Sequence, residues 1–161
     1  MRPLLRVALV LACLAWPALA QRSNGYLVVA PGFVGSSGGT SDTTLHFAIG
    51  GEAIIGRGFG AGAEVGYFTP ARDMGAGIGI ASVNGYYHFR HSRSVRTDPF
   101  VTGGYSLLFR TGTLNTFNFG GGANIWLAKH AGIRAEFRDH VYPEGNSGVH
   151  YVDFRFGVSF R

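Results

Sequence analysis

From Val152 to Phe160 every second residue is apolar (Val152, Phe154, Phe156, Val158, Phe160), and Asp153, Arg155, Gly157 and Ser159 lie between them, with Arg161 behind. Side chains alternate across a β-strand, so a period of two sets one face against hydrocarbon or a core and the other against water or charge; a helix would scatter these residues around its axis. The same alternation recurs upstream. Gly25 to Gly35 carries Leu27, Val29 and Phe33 on one face, and Pro31, which cannot donate to a ladder, predicts a bulge or break near Ala30 and Pro31. Thr44 to Ile55 sets Leu45, Phe47, Ile49, Ala53 and Ile55 against His46, Gly50 and Glu52. After Gly56-Arg57-Gly58 the chain returns through Phe59 to Phe68, with Ala61, Ala63, Val65 and Tyr67 against Gly60, Gly62, Glu64 and Gly66, which reads as a hairpin.

Four further strands follow the same rule. Ile78 to Arg90 sets Ala81, Val83, Tyr87 and Phe89 opposite Ser82, Asn84, Tyr86 and His88, and His91 to Asp98 reads as a polar, basic turn. Pro99 to Arg110 places Val101, Tyr105, Leu107 and Phe109 opposite Thr102, Gly104, Ser106 and Arg110. Thr116 to Lys129 places Phe117, Phe119, Ala123, Ile125 and Leu127 opposite Asn118, Gly120, Gly122 and Asn124. Gly132 to Tyr142 places Ile133, Ala135, Phe137 and Val141 against Arg134, Glu136, Arg138 and His140, and the terminal strand brings the count to eight. The first, third, fifth and seventh connections are rich in Gly, Ser, Asp and Pro; the second and sixth are tight; the fourth, HSRSVRTD, is longer than the alternation wants. Eight amphipathic strands of about ten to twelve residues, with long and short connections alternating, predict an all-β, antiparallel, up-and-down transmembrane β-barrel with both termini in the periplasm.

Period two alone does not separate this from a soluble barrel binding an apolar ligand, because the two differ only in which face is greasy outward. The polar face carries Glu52, Glu64, Arg134, Glu136, Arg138, Asp153 and Arg155 among glycines and asparagines. Charges of both signs can pair across a narrow lumen, and that set is expected to be a structural ion-pair network. A solvated exterior would be richer in lysine, and Lys129 is the only one in the chain. Tyr67, Phe68, Tyr86, Tyr87, Phe89, Phe100, Phe109, Phe117, Tyr142, Tyr151 and Phe160 lie near strand ends, as interfacial aromatic girdles would. Asp139 falls on the lipid-side parity between Phe137 and Val141, which is tolerable at the interface near an outer loop.

Composition changes the picture at the start of the chain. Of the 161 residues, 1–20 read as a signal peptide: Arg2 and Arg6, an apolar run from Val7 to Ala15, and Ala18-Leu19-Ala20 before Gln21. Lipoprotein processing at Cys13 is the rival reading. The barrel domain is then 21–161, exported and placed in the bacterial outer membrane. All 26 glycines and every aromatic residue except Trp16 lie in it. Cys13 is the only cysteine, so the mature chain has no disulfide, thiol nucleophile or thiolate metal site. Of the net charge of +5, Arg2 and Arg6 leave with the leader, and the remaining +3 does not argue for nucleic acid.

Two stretches carry a family resemblance. Phe119 to Leu127 (FGGGANIWL), a short connection and Gly132 to Arg138 (GIRAEFR) resemble the penultimate hairpin of small bacterial outer-membrane barrels of the OmpA-like and OmpX-like group. Phe154 to Phe160 (FRFGVSF) resembles their C-terminal strand, with Arg161 added. The resemblance implies that Phe154, Phe156, Val158 and Phe160 form the signal read by the barrel assembly machinery. It also implies outer-membrane lipid as the surroundings, a monomer, and unknown loop partners. The peptidoglycan-binding activity of larger OmpA-like proteins is not implied.

Other chemistry is weak in this sequence. Some eight-stranded barrels act on lipid A, and their deacylase pairs a His and a Ser two apart on one strand; here His140-Val141-Tyr142 puts tyrosine in the nucleophile's place, and no base beside a nucleophile is evident. Gly58 to Ala63 formally matches G-x-G-x-x-A but opens a strand, without the helix N-terminus that holds phosphate. His88 and His91 would point to opposite faces of a strand, and the histidines show no metal-ligand spacing; His140 and His150 flank the last outer loop and could approach one another. No metal or cofactor is expected. The reading is a non-enzymatic integral outer-membrane barrel with a structural or surface-interaction role; the alternatives are a soluble periplasmic barrel binding an apolar ligand, or a lipid A-modifying enzyme.

Overall fold

The computed structural model describes residues 22–36, 41–90, 96–144 and 147–161; the expected signal peptide lies outside them. Eight strands run β1 Arg22–Ser36, β2 Ser41–Gly56, β3 Phe59–Pro70, β4 Ile78–His88, β5 Thr97–Phe109, β6 Thr113–Trp126, β7 Ala131–Glu144 and β8 Ser147–Phe160. Each pairs antiparallel with its neighbour in sequence, and β1 pairs with β8 to close the barrel. Closure leaves no row of unpaired N–H and C=O groups facing lipid.

The two faces are sorted as the alternation requires, and the sorting decides between the membrane and soluble barrels. Phe47, Ile49, Val65, Val83, Phe119, Phe137, Phe154, Phe156 and Val158 are exposed on the outer wall. Arg134, Arg138 and Arg155 inside are 0% exposed. A soluble barrel would bury the first group and expose the second. The expected girdle needs correcting. Tyr67, Tyr87, Phe89, Phe109, Phe117 and Phe160 do face outward, but Tyr86, Phe100 and Tyr151 are buried in the lumen, with Phe68 tilted against Tyr151 at 4.0 Å between ring centres. Tyr142 is half-buried on the luminal parity of β7. In a narrow barrel, bulky rings at inward positions fill the space between the charged groups.

Glycine on the luminal parity leaves room where a ring or the neighbouring backbone comes close. A Cβ on Gly50 would lie 2.5 Å from the Tyr26 ring, and one on Gly157 would lie 1.9 Å from the Leu27 carbonyl oxygen. The β2–β3 turn places Arg57 and Gly58 at φ 51° and 87°, the left-handed pair of a two-residue hairpin; glycine bears this freely and arginine under strain.

Pro31 pairs with Leu45 on β2, while pairing with β8 stops at Val29↔Phe156 and resumes at Gly32↔Asp153 in the same register. The expected break is therefore present without a bulge, because a residue lacking N–H leaves a gap in the ladder but shifts nothing. A register shift falls instead between Ile54 and Gly56 on β2.

The expected alternation of loop lengths is corrected too. Ser41 to Thr43, Thr113 to Asn115 and Pro143 belong to paired strands, and among the described residues the connections at that end are 71–77 and 110–112. The opposite, terminal end has 57–58 and 127–130 among the described residues. Strands of up to 16 residues exceed the roughly 9–11 that cross hydrocarbon, so the hairpins continue as sheet beyond the apolar belt.

Candidate functional site

The lumen holds one connected set of charges, built mainly on β7. Arg134, Glu136 and Arg138 share its inner face at intervals of two, so the acid lies between two bases without any turn in the chain. Arg134 Nε donates to Glu136 Oε2 at 2.9 Å and Arg138 Nε to Glu136 Oε1 at 2.6 Å. Across the barrel, Glu64 on β3 accepts from Arg138 Nη1 at 3.4 Å and from Arg155 Nη2. Arg155 also lies 3.7 Å from Glu136 and 3.8 Å from Asp153, whose Oδ2 meets His46 Nδ1 at 2.8 Å. The Arg134 guanidinium sits between aromatic faces, 4.2 Å from the Tyr26 ring centre and 4.1 Å from Phe100. The ring faces stabilise the cation where Arg134 Nη2 has no hydrogen-bond acceptor. Glu52 accepts from Asn24 Nδ2 at 2.9 Å and lies 3.6 Å from Arg134 Nη1 and 3.5 Å from His88 Nε2. His88 Nδ1 in turn meets Asp98 at 3.1 Å.

All seven luminal residues singled out from the sequence thus meet in one network. Sequence reasoning left out His46, His88 and Asp98. The two histidines share the parity of the charged set, which was a usable signal; Asp98 was hidden because it was read as part of a turn, whereas β5 begins at Thr97.

Towards the loop end the lumen turns neutral. Ser106 Oγ lies 2.8 Å from Ser82 Oγ, 3.3 Å from His140 Nδ1, and accepts from Asn118 Nδ2 at 2.9 Å. The sequence showed no nucleophile beside a base; the β5–β6–β7 register supplies one in Ser106 and His140. Both are buried inside the wall, and the hydroxyl is already engaged by two neighbours, so no lipid ester on the outer wall can reach it.

His140 and His150 do not approach one another. They occupy opposite faces, with His140 buried in the lumen and His150 exposed on the outer wall. There His150 Nδ1 donates to Asp139 Oδ2 at 2.8 Å. Asp139 faces the lipid side near the loop end, as its parity requires, but is only 7% exposed. Among the described residues no group of three His, Cys, Asp or Glu is placed to hold a metal.

At the loop end, segment 71–77 is fastened to its neighbours. Tyr67 Oη donates to the Met74 carbonyl at 2.6 Å, and Asp73 caps a 3-10 turn, Met74–Ala76, by accepting from Gly75 N at 3.0 Å. Arg110, beyond β5, donates to the Ala76 carbonyl at 3.0 Å, and Arg72 pairs with Asp42 of β2 at 2.5 Å. At the terminal end, Arg161 Nε donates to the Lys129 carbonyl at 3.1 Å, and its guanidinium lies 4.2 Å from the Trp126 ring centre.

A closed antiparallel barrel with an apolar exterior and a paired ionic interior is a transmembrane β-barrel. Residues 7–161 match the family model for the outer membrane protein beta-barrel domain, and the chain belongs to that family. Its fold is similar to that of Neisserial surface protein A, with TM-score 0.67 and 12% identity over 86% of this chain and 96% of that one. It is similar also to the N-terminal barrel of Pseudomonas aeruginosa OprF, at TM-score 0.60 and 14% identity over 88% and 98%. Ail, the attachment invasion locus protein of Yersinia pestis, matches at TM-score 0.54 and 11% identity over 87% and 100%. No curated protein matches the sequence. The protein is an eight-stranded barrel of the bacterial outer membrane.

Proposed function

We propose that this protein is a non-enzymatic, monomeric barrel that contributes to envelope structure and meets its partners through the loop end. The observation that carries this reading is the filled lumen: three arginines at 0% exposure, locked to Glu64, Glu136 and Asp153, occupy the middle of the barrel. Such an interior serves stability and register. With the outer wall in lipid and the terminal end facing the periplasm, as in barrels of this kind, the loop end is the surface left for recognition. There Asp42, Arg72, Met74 and Arg110 stand exposed or half-exposed. Outward-facing Phe154, Phe156, Val158 and Phe160 on β8 are the signal offered to the assembly machinery in this reading.

Planar-bilayer recording of the purified, refolded protein tests the filled lumen. The expected result is no steps above the bare bilayer; stable open channels in every preparation would overturn the reading and make the arginines the lining of a pore.

A further inference from the structure

The inner wall changes character along its length. Through the middle of the barrel its positions are charged, but at the loop end they are apolar: Phe68 on β3, Ile78 on β4, Leu108 on β5, Leu114 on β6, Tyr142 on β7 and Val149 on β8. These lie side by side across the ladder as Phe68↔Ile78, Leu108↔Leu114 and Tyr142↔Val149. All six are at least part-exposed although their parity points them into the barrel, and Leu114 is 46% exposed. At the other mouth the inward Ile54, Phe100 and Trp126 are at most 3% exposed. The lumen is therefore a cup, closed towards the terminal end and open at the loop end, with an apolar collar.

Lipid accounts for apolar side chains on the outer wall, but not for these. Three apolar pairs around one mouth form a contiguous patch, and such a patch on a water-facing surface marks a place where something binds. The chain has little of its own to cover it with. The segments joining β1 to β2 and β7 to β8 read SGGT and GN, without an apolar side chain. Met74 belongs to a turn fastened to Tyr67 on the outer side.

The floor of the cup says what that something is. Beneath the collar lies the neutral cluster around Ser106, in which Asn118 and His140 are cross-strand partners at 3% and 2% exposure. Each uses one polar atom on Ser106 Oγ, and among the described residues Asn118 Oδ1 and His140 Nε2 have no hydrogen-bond partner. Buried polar atoms of this kind are costly unless something meets them. With Ser106 Oγ donating to His140 Nδ1, the imidazole proton lies on Nε2; a ligand hydroxyl then accepts from Nε2 and donates to Asn118 Oδ1. The arginines deeper in the lumen are matched by Glu64, Glu136 and Asp153, so no spare charge calls for an ionised ligand. An apolar wall with a few placed polar groups is the make-up of a small-molecule site. We propose that the cup binds a small uncharged molecule of the alkylphenol class from outside the cell, its apolar body against the collar and its hydroxyl between Asn118 and His140. The site rests on the reading of the loop end as the outward, recognising face of a filled barrel.

The test is an amide NMR titration of the refolded, full mature chain in dodecylphosphocholine with 4-propylphenol, each variant first shown to have closed by unheated and boiled gel mobility. The wild type is expected to give saturable shifts confined to the loop-end residues of β3 to β8. Leu108→Asn with Leu114→Asn strips the collar and is expected to weaken binding about tenfold. 4-Propylanisole, which keeps the body but cannot donate, is expected to bind the wild type roughly tenfold more weakly than 4-propylphenol, and Asn118→Ala is expected to bind the two probes alike. Shifts that rise linearly with 4-propylphenol and follow the outer wall would overturn the site in favour of partition into the micelle. Equal affinity in the closed asparagine variant, or equal binding of the two probes by the wild type, would overturn it as well. Those failures leave the barrel and its filled middle standing, since heat modifiability and bilayer recording test them separately. Absence of heat modifiability in the wild type would sink the barrel reading itself, and the cup with it.

Discussion

Glu136 is the residue on which the interior turns, because Arg134 and Arg138 both donate to it and Arg155 lies within 3.7 Å. Glu136→Ala leaves these arginines short of a counter-charge where water does not compensate, and is expected to cost about 3–5 kcal/mol. Urea unfolding of the refolded barrel in detergent measures this, and Glu136→Gln, which keeps an acceptor but no charge, should lie between the two. Gly50 offers a second residue-scale test. Gly50→Ala drives a methyl to 2.5 Å from the Tyr26 ring and is expected to destabilise by about 1–3 kcal/mol, whereas Gly25→Ala, with its nearest neighbour at 3.9 Å, should be close to neutral in the same assay. Parity was enough to pick Glu52, Glu64 and the β7 triad from the sequence, because burial of a charge on a period-two face requires a partner. Parity was not enough for Ser106 and His140, which sit 34 residues apart and meet only through strand register.

Along a single strand the decisive quantity is depth in the membrane. Phe154 lies midway along β8, is 46% exposed on the outer wall, and packs against Phe137 of β7 with ring centres 5.4 Å apart. Phe154→Arg is expected to cost about 2–4 kcal/mol and to reduce the protein recovered from the membrane fraction. The same substitution at Val152, one step nearer the loop end and beside Asp139, should cost less; equal losses at both sites would argue against the depth assigned to β8. The number of strands was legible from the alternation alone, but their lengths were not. Thr113 to Asn115 and Ser41 to Thr43 have loop composition, yet they are paired, because hairpin hydrogen bonds continue beyond the region where side-chain polarity alternates. The aromatic residues erred the other way. Tyr86 and Phe100 read as girdle from their closeness to strand ends, although their inward parity sends the rings towards Arg134.

For the molecule as a whole, closure through β1 and β8 makes unfolding a single event: no strand leaves without exposing the backbone of two others to hydrocarbon. Unheated protein in dodecyl sulfate should migrate apart from the boiled form, and the two bands should interconvert without intermediates. A single band under both conditions would contradict a closed barrel. Gly157→Val, whose Cβ would sit 1.9 Å from the Leu27 carbonyl at the closing seam, should lower the temperature at which the compact band is lost. The fastening of the loop end has a consequence for recognition. Asp42 with Arg72, and Arg110 with Ala76, bring residues from different hairpins into single patches. Antibodies or ligands that select this end therefore read a discontinuous epitope, and a synthetic peptide copying any one hairpin tip presents only a fragment of it.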